Sequence, residues 1–240
     1  MANLKISEEE FKKAADIIGC EVAVIKAVAK IESNGSGFNK DGSPKTLFEG
    51  HWFHKLTNGK YSDDPKYQSI SYKKWTRKWY GNQTIEKQRL GLALSIAEDA
   101  ALQSASWGAF QIMGFNYKLC GFKTVKEFIA AMHKGEGEQL LAFIGFVKSK
   151  KLDDELRDKD WAKFAYYYNG SGYAVNKYDE KMAAAYKVFK AEEDAKPKEV
   201  KVEEPKVVKN ISTDVLRIEE PNEPKVDWYE KFLKSFFWIK

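Results

Sequence analysis

The sequence predicts a mainly α domain, α+β with at most a small hairpin, followed by a linker and a short C-terminal amphipathic helix. Three observations carry this. Apolar residues recur at helical spacing in one segment after another, capping signatures stand ahead of two of those segments, and the composition changes near residue 190.

Ser7 with Glu10 makes a capping box in front of Phe11, Ala14, Ala15 and Ile18, which predicts a first helix over about 8–18. A second follows Gly19. In it Ile25, Val28, Ala29 and Glu32 stand at i, i+3, i+4 and i+7, so the carboxylate of Glu32 is in phase with the apolar face. Residues 34–62, dense in Gly, Asn, Asp and Ser around 46-TLFEGHWF-53, read as loops with at most a small hairpin. Helical periodicity resumes over 84–105. Thr124 with Glu127 caps a helix over 125–134, and further helices are expected at 137–150, 160–168 and 173–192.

All 16 Gly lie at or before Gly172, whereas Pro197, Pro205, Pro221 and Pro224 fall beyond residue 190. The Lys-, Glu-, Val- and Pro-rich stretch there has too few apolar positions to offset chain entropy by burial. The expected organisation is a domain over 1–190, a charged linker over 191–226 and an aromatic tail over 227–240. The tail sets Trp228, Phe232, Phe236 and Ile239 on one helical face and is too short to span a bilayer. It would pack on its own domain or another chain, or lie at a membrane surface.

Residues 1–189 carry a formal charge of +6 and the remainder −1, so the folded part is the basic part. Such a domain suits an anionic polymer, whether nucleic acid, membrane surface or acidic cell-wall glycan, and charge alone does not choose. Cys20 and Cys120 are too few for a disulfide framework and match no zinc spacing. The N-terminal stretch lacks the apolar core of a signal peptide, which predicts cytoplasmic synthesis without signal-dependent export. No phosphate loop, dinucleotide glycine pattern, HExxH or Ser or Cys nucleophile motif is visible, and His51, His54 and His133 do not form a metal set.

Glu32 is the residue that demands a reason. It ends a helix, where the partial negative charge of the terminus disfavours a carboxylate by a few tenths to about 1 kcal/mol. Apolar neighbours and that dipole both push its pKa upward. A carboxyl that keeps its proton is what glycosidic cleavage requires, because the sugar oxygen leaves poorly until protonated. Standing alone, the stretch would more readily describe an ordinary exposed Glu near a helix end.

It does not stand alone. Glu32-Ser33, then 106-SWGAFQIMGFN-116, then 164-FAYYYNGSGY-173 resemble, in that order, the lysozyme-like superfamily of goose-type lysozymes and lytic transglycosylases. More closely, 27-AVAKIESNGSGFNKDGSPKTLFEGHWF-53 with 105-ASWGAFQIMGFNY-117 and 161-WAKFAYYYNGSGYAVNKYDEKMAAAY-186 resembles the N-acetylmuramidase domain of phage and prophage endolysins, over roughly residues 5–190. The resemblance implies a lysozyme-like helical domain, and no cofactor and no metal are expected. It also implies action on bacterial peptidoglycan, reached after synthesis in the host cytoplasm with the help of a separate route such as a pore-forming partner; the chain is expected to be a monomer.

The resemblance makes Glu32 the general acid. Ser33, Ser106, Trp107, Gln111, Tyr168, Asn169 and Gly170 become substrate-binding candidates. Gly108 and Gly114 permit close backbone approach, Gln111 offers a donor and an acceptor, and Trp107 and Tyr166 to Tyr168 would supply flat apolar surface. Glu49 matches the second acidic position, as base or electrostatic stabiliser; a structural acid accepting loop N–H bonds is its other reading. The sequence has Gly50 where the family pattern has a basic residue. Glu98 and Asp99 read as a solvated helix face. The function expected is cleavage of the β-1,4 bond between N-acetylmuramic acid and N-acetylglucosamine. The alternatives are a lytic transglycosylase forming 1,6-anhydro ends and a non-catalytic glycan- or nucleic-acid-binding protein; no nucleic-acid motif supports the last.

Overall fold

The computed structural model of the chain describes residues 5–33 and 35–195; most of the expected linker and the whole aromatic tail lie outside the described residues. Helix α1 (Glu8–Ile18) begins as the capping box requires, with Ser7 Oγ accepting from Glu10 N at 3.2 Å and Glu10 Oε2 from Ser7 N at 2.7 Å. It ends at Gly19, whose φ of +79° admits the left-handed turn into the next helix. Helix α2 (Val22–Glu32) buries Ala23, Val24, Ile25, Ala27, Val28 and Ala29. An apolar surface that nearly encircles it makes α2 the central helix, covered by α1 and by α10 (Tyr178–Asp194).

The region read as loops contains strand β1 (Thr46–Phe48) and a helix the sequence reading lacked, α3 (Gly50–Leu56). Seven residues with no side-chain cap give too short a period to stand out. The partner of β1 is not local. It is β2 (Ala105–Trp107), which also pairs with β3 (Ile112–Met113), giving an antiparallel sheet in the order β1-β2-β3 with Leu47 opposite Ser106 and Trp107 opposite Ile112.

The periodic run over 84–105 is therefore not one helix. It divides into α4 (Gln83–Leu94) and α5 (Glu98–Gln103), and its last residue already belongs to β2. Ser95 Oγ donates back to Leu92 O at 2.8 Å, a local bond that closes α4, and Ala97 is extended at φ −158°. Pairing with β1 then draws 105–107 into the sheet. The segment 106–116 is a hairpin followed by a 3-10 turn at Gly114–Asn116.

Helices α6 (Val125–Lys134), α7 (Glu136–Ser149) and α9 (Trp161–Asn169) match expectation within a residue or two, and α8 (Asp153–Asp158) is an additional short one. The expected 173–192 helix starts with a 3-10 turn at Tyr173–Asn176 before α10. One contiguous core joins these elements through Phe48, Phe53, Trp107, Phe128, Phe143 and Phe164, all fully buried. Truncating such an aromatic to Ala costs about 3–5 kcal/mol.

Candidate active site

Helix α2 delivers Glu32 in its last turn, and Ser33 closes the helix through its N–H to Ala29 O at 2.9 Å. Helix α9 ends beside it. Asn169 Nδ2 donates to Glu32 Oε1 at 2.9 Å, across 137 residues of sequence. Gly170, at φ +83°, turns the chain away immediately afterwards. Burial pushes the Glu32 pKa up to about 7, with the Asn169 bond pulling the other way. Desolvation wins because a single neutral donor compensates only part of the hydration that a carboxylate loses.

Tyr168 wedges between Phe143, Phe146 and Phe164, its ring stacked on Phe164 at 5.6 Å. Burial, with the neighbouring Glu32 charge, raises its hydroxyl pKa. Its ring thus forms a wall behind Glu32, while Tyr166 and Tyr167, 49% and 57% exposed, present open aromatic surface on the same helix.

Trp107 is a correction. It is only 1% exposed and its Nε1 donates to Leu102 O at 3.1 Å, so its ring fills the core under the sheet and cannot stack on a sugar. Ser106 and Gln111 engage each other: Ser106 Oγ donates to Gln111 Oε1 at 2.8 Å and Gln111 Nε2 donates to Gly108 O at 2.8 Å. Gln111 takes φ +47° and Gly108 φ +74°, so these bonds hold a tight turn.

Two residues of α7 lock that turn to the loop after Glu32. Gln139, buried, accepts from Ala109 N at 2.8 Å and donates to Met132 O at 2.9 Å. Glu136 accepts from Gly37 N at 2.6 Å and Ser36 Oγ at 3.1 Å. A Cβ on Gly37 would come within 2.1 Å of Gln139 Oε1, so only glycine fits there.

Glu49 leaves the end of β1 and caps α3 with its backbone. Its N–H donates to Ser104 O at 2.9 Å, which ties it to the sheet, and its carbonyl accepts from Trp52 and Phe53. Among the described residues no backbone N–H donates to its carboxylate. The Tyr80 hydroxyl donates to Oε2, and His51 Nδ1 lies 3.2 Å from the same oxygen. His51 and Tyr80 therefore stand where the sequence offered no neighbour at Gly50. Gly50 itself is explained by packing, since a Cβ there would meet Tyr72 Cε1 at 2.3 Å.

Behind Tyr80 lies a buried ion pair that sequence reasoning missed. Glu86 is 0% and Arg89 5% exposed, and they meet at 2.9 Å. Glu86 also accepts from Phe48 N at 3.0 Å and Gly81 N at 2.9 Å. Arg89 donates to Ser69 O and Tyr72 Oη, and its guanidinium lies 5.5 Å from the Tyr80 ring centre. The pair joins β1 to the loop carrying Tyr80. The signal available in the sequence was the i, i+3 spacing of Glu86 and Arg89.

Glu98 pairs with Lys126 at 2.7 Å on the surface, away from this chemistry. Burial pushes both Cys20 and Cys120 up to about 12, which leaves inert thiols. Among the described residues no three His, Cys, Asp or Glu side chains converge as a metal set, and no helix is long and apolar enough to cross a membrane.

A mainly α fold of this layout, in which Glu32 and Asn169 meet where helices α2 and α9 end, is lysozyme-like. Residues 21–190 match the family model of the N-acetylmuramidases. The structure resembles the crystal structure of Burkholderia AP3 phage endolysin with a TM-score of 0.73 and 38% identity, over 80% of this chain and 74% of that one. A comparison with curated proteins gives no match. The chain belongs to the N-acetylmuramidase family and is a peptidoglycan hydrolase of the phage endolysin kind.

Proposed function

We propose that the chain hydrolyses the β-1,4 bond between N-acetylmuramic acid and N-acetylglucosamine, with Glu32 as general acid and Glu49 as the assisting carboxylate. The observation that carries this reading is Glu32 itself, desolvated at the end of α2, raised to about 7 and oriented by Asn169. At neutral pH a large share of such a group retains its proton and donates it to the departing sugar oxygen.

As that bond breaks, positive charge grows on the sugar ring and favours a fixed carboxylate nearby. Both close contacts of Glu49 fall on Oε2, and among the described residues Oε1 accepts no hydrogen bond. Oε1 is thus the oxygen available to orient water or face the developing charge. Asn169 and the exposed Tyr166 and Tyr167 are the proposed sugar contacts on the α9 side, with Ser33 and Gly170 bordering Glu32. Ser106 and Gln111 are assigned instead to holding the hairpin.

Replacing Glu32 by Gln keeps the shape and removes the proton donor. Activity on cell-wall suspensions is expected to fall by about 10²–10⁴-fold; undiminished clearing would end this assignment. Mass spectrometry of the new sugar ends fixes the reaction, since hydrolysis leaves a reducing end and transglycosylation an anhydro end lighter by one water.

A further inference from the structure

The outer side of α3 opens a groove of about 420 Å³ lined by His51, Trp52, His54, Lys55, Asn58 and Lys73, with no acid among them. Lys73 belongs to the 72–80 segment, and residues 65–85 contain five basic side chains and no acidic one. Among the described residues, none of Lys55, Lys73, Lys74, Arg77 or Lys78 forms an ion pair. No described acid stands within ion-pair distance of these five side chains.

The aromatic residues interleaved with them are held in place. Lys55 lies over Trp52 at 4.6 Å, Trp52 packs on Phe115 at 4.5 Å, and Lys78 lies over Trp79 at 4.4 Å. Trp75, 56% exposed, stands edge-on to Tyr80. Two members of this face, His51 and Tyr80, are the residues that touch Glu49 Oε2. The face therefore begins where the assisting carboxylate ends.

We propose that this face is a subsite for the carboxylates of the stem peptides that branch from the peptidoglycan strand. The inference rests on the reading of Glu49 as part of the glycan-cleaving site. A peptide branching from a sugar bound at Glu49 is covalently continuous with the substrate and meets the lysines next, whereas lipid or nucleic acid has no such continuity with Glu49. Lysine ammonium groups beside partly buried rings suit carboxylates on a flexible peptide, because each contact is a point charge without fixed geometry.

The test titrates the full chain with soluble peptidoglycan strands bearing stem peptides, and with the same strands after their carboxylates are converted to amides. The double substitution Lys55→Gln, Lys73→Gln is expected to weaken binding of the native strands about five- to tenfold, in keeping with two exposed ion pairs. Binding of the amidated strands should not change, and Lys55→Arg, Lys73→Arg should bind native strands like the parent. Equal loss on both strands, no loss on either, or loss confined to phosphatidylglycerol vesicles or duplex DNA would overturn the subsite. Failure of the glycan-cleaving reading shows differently, as a parent chain that releases no new sugar ends, and the binding comparison still decides the subsite.

Discussion

At Glu32 the fold holds a proton that water would take. Between an ordinary carboxyl value of 4.5 and the raised value of about 7, the folded chain binds a proton that the unfolded chain has released. Stability linked to this group is therefore undiminished below pH 4.5, declines as pH rises and is lower by about 3 kcal/mol above 7. Glu32→Gln is expected to be more stable than the parent at pH 8 by about 1–3 kcal/mol and equal to it at pH 4, read from urea midpoints. Activity should decline as pH rises through about 7, where the acid loses its proton. Because the Asn169 bond lowers this pKa, Asn169→Ala should move that alkaline limb to higher pH, which a pH–rate profile measures. The phase of Glu32 on its helix was legible in the sequence. Its Asn169 partner, 137 residues away, was named by resemblance and brought into contact only by the fold.

Among the elements, those with a complete local signature were legible. The Ser7–Glu10 box and the Thr124 cap start helices where they predict, and Ser7→Ala should cost about 1 kcal/mol in thermal or urea unfolding. The β2–β3 hairpin was not legible, because its strands are two and three residues long and β1 lies nearly sixty residues upstream. Its turn is tied down by α7 through Gln139. Gly37→Ala forces a Cβ onto Gln139 Oε1 and Ala109 N, and should destabilise by about 1–3 kcal/mol while loosening the loop that follows Glu32. A urea titration checks the first effect, and the kcat on soluble strands checks the second.

For the whole molecule, the Glu86–Arg89 pair is the feature that links separate parts. It binds the end of β1, the 69–81 loop and, through Tyr80, the carboxylate of Glu49. Arg89→Met would leave Glu86 buried without its charge partner and should cost about 3–5 kcal/mol, seen as a lowered urea midpoint. The +6 charge of residues 1–189 should make wall binding weaken with salt. Docking of residues 227–240 on a membrane surface is a separate proposal: deletion of those residues should abolish liposome sedimentation, and unchanged partitioning would rule it out.

Helical content, the general-acid candidate and the family were written in the sequence, because caps, periodicity and three long motifs are local patterns that survive without coordinates. The sheet, the burial of Trp107, the Tyr80 and His51 contacts on Glu49 and the basic face beyond them were decided by tertiary structure. Each depends on side chains that meet only after distant segments pack together, and on the desolvation that packing imposes.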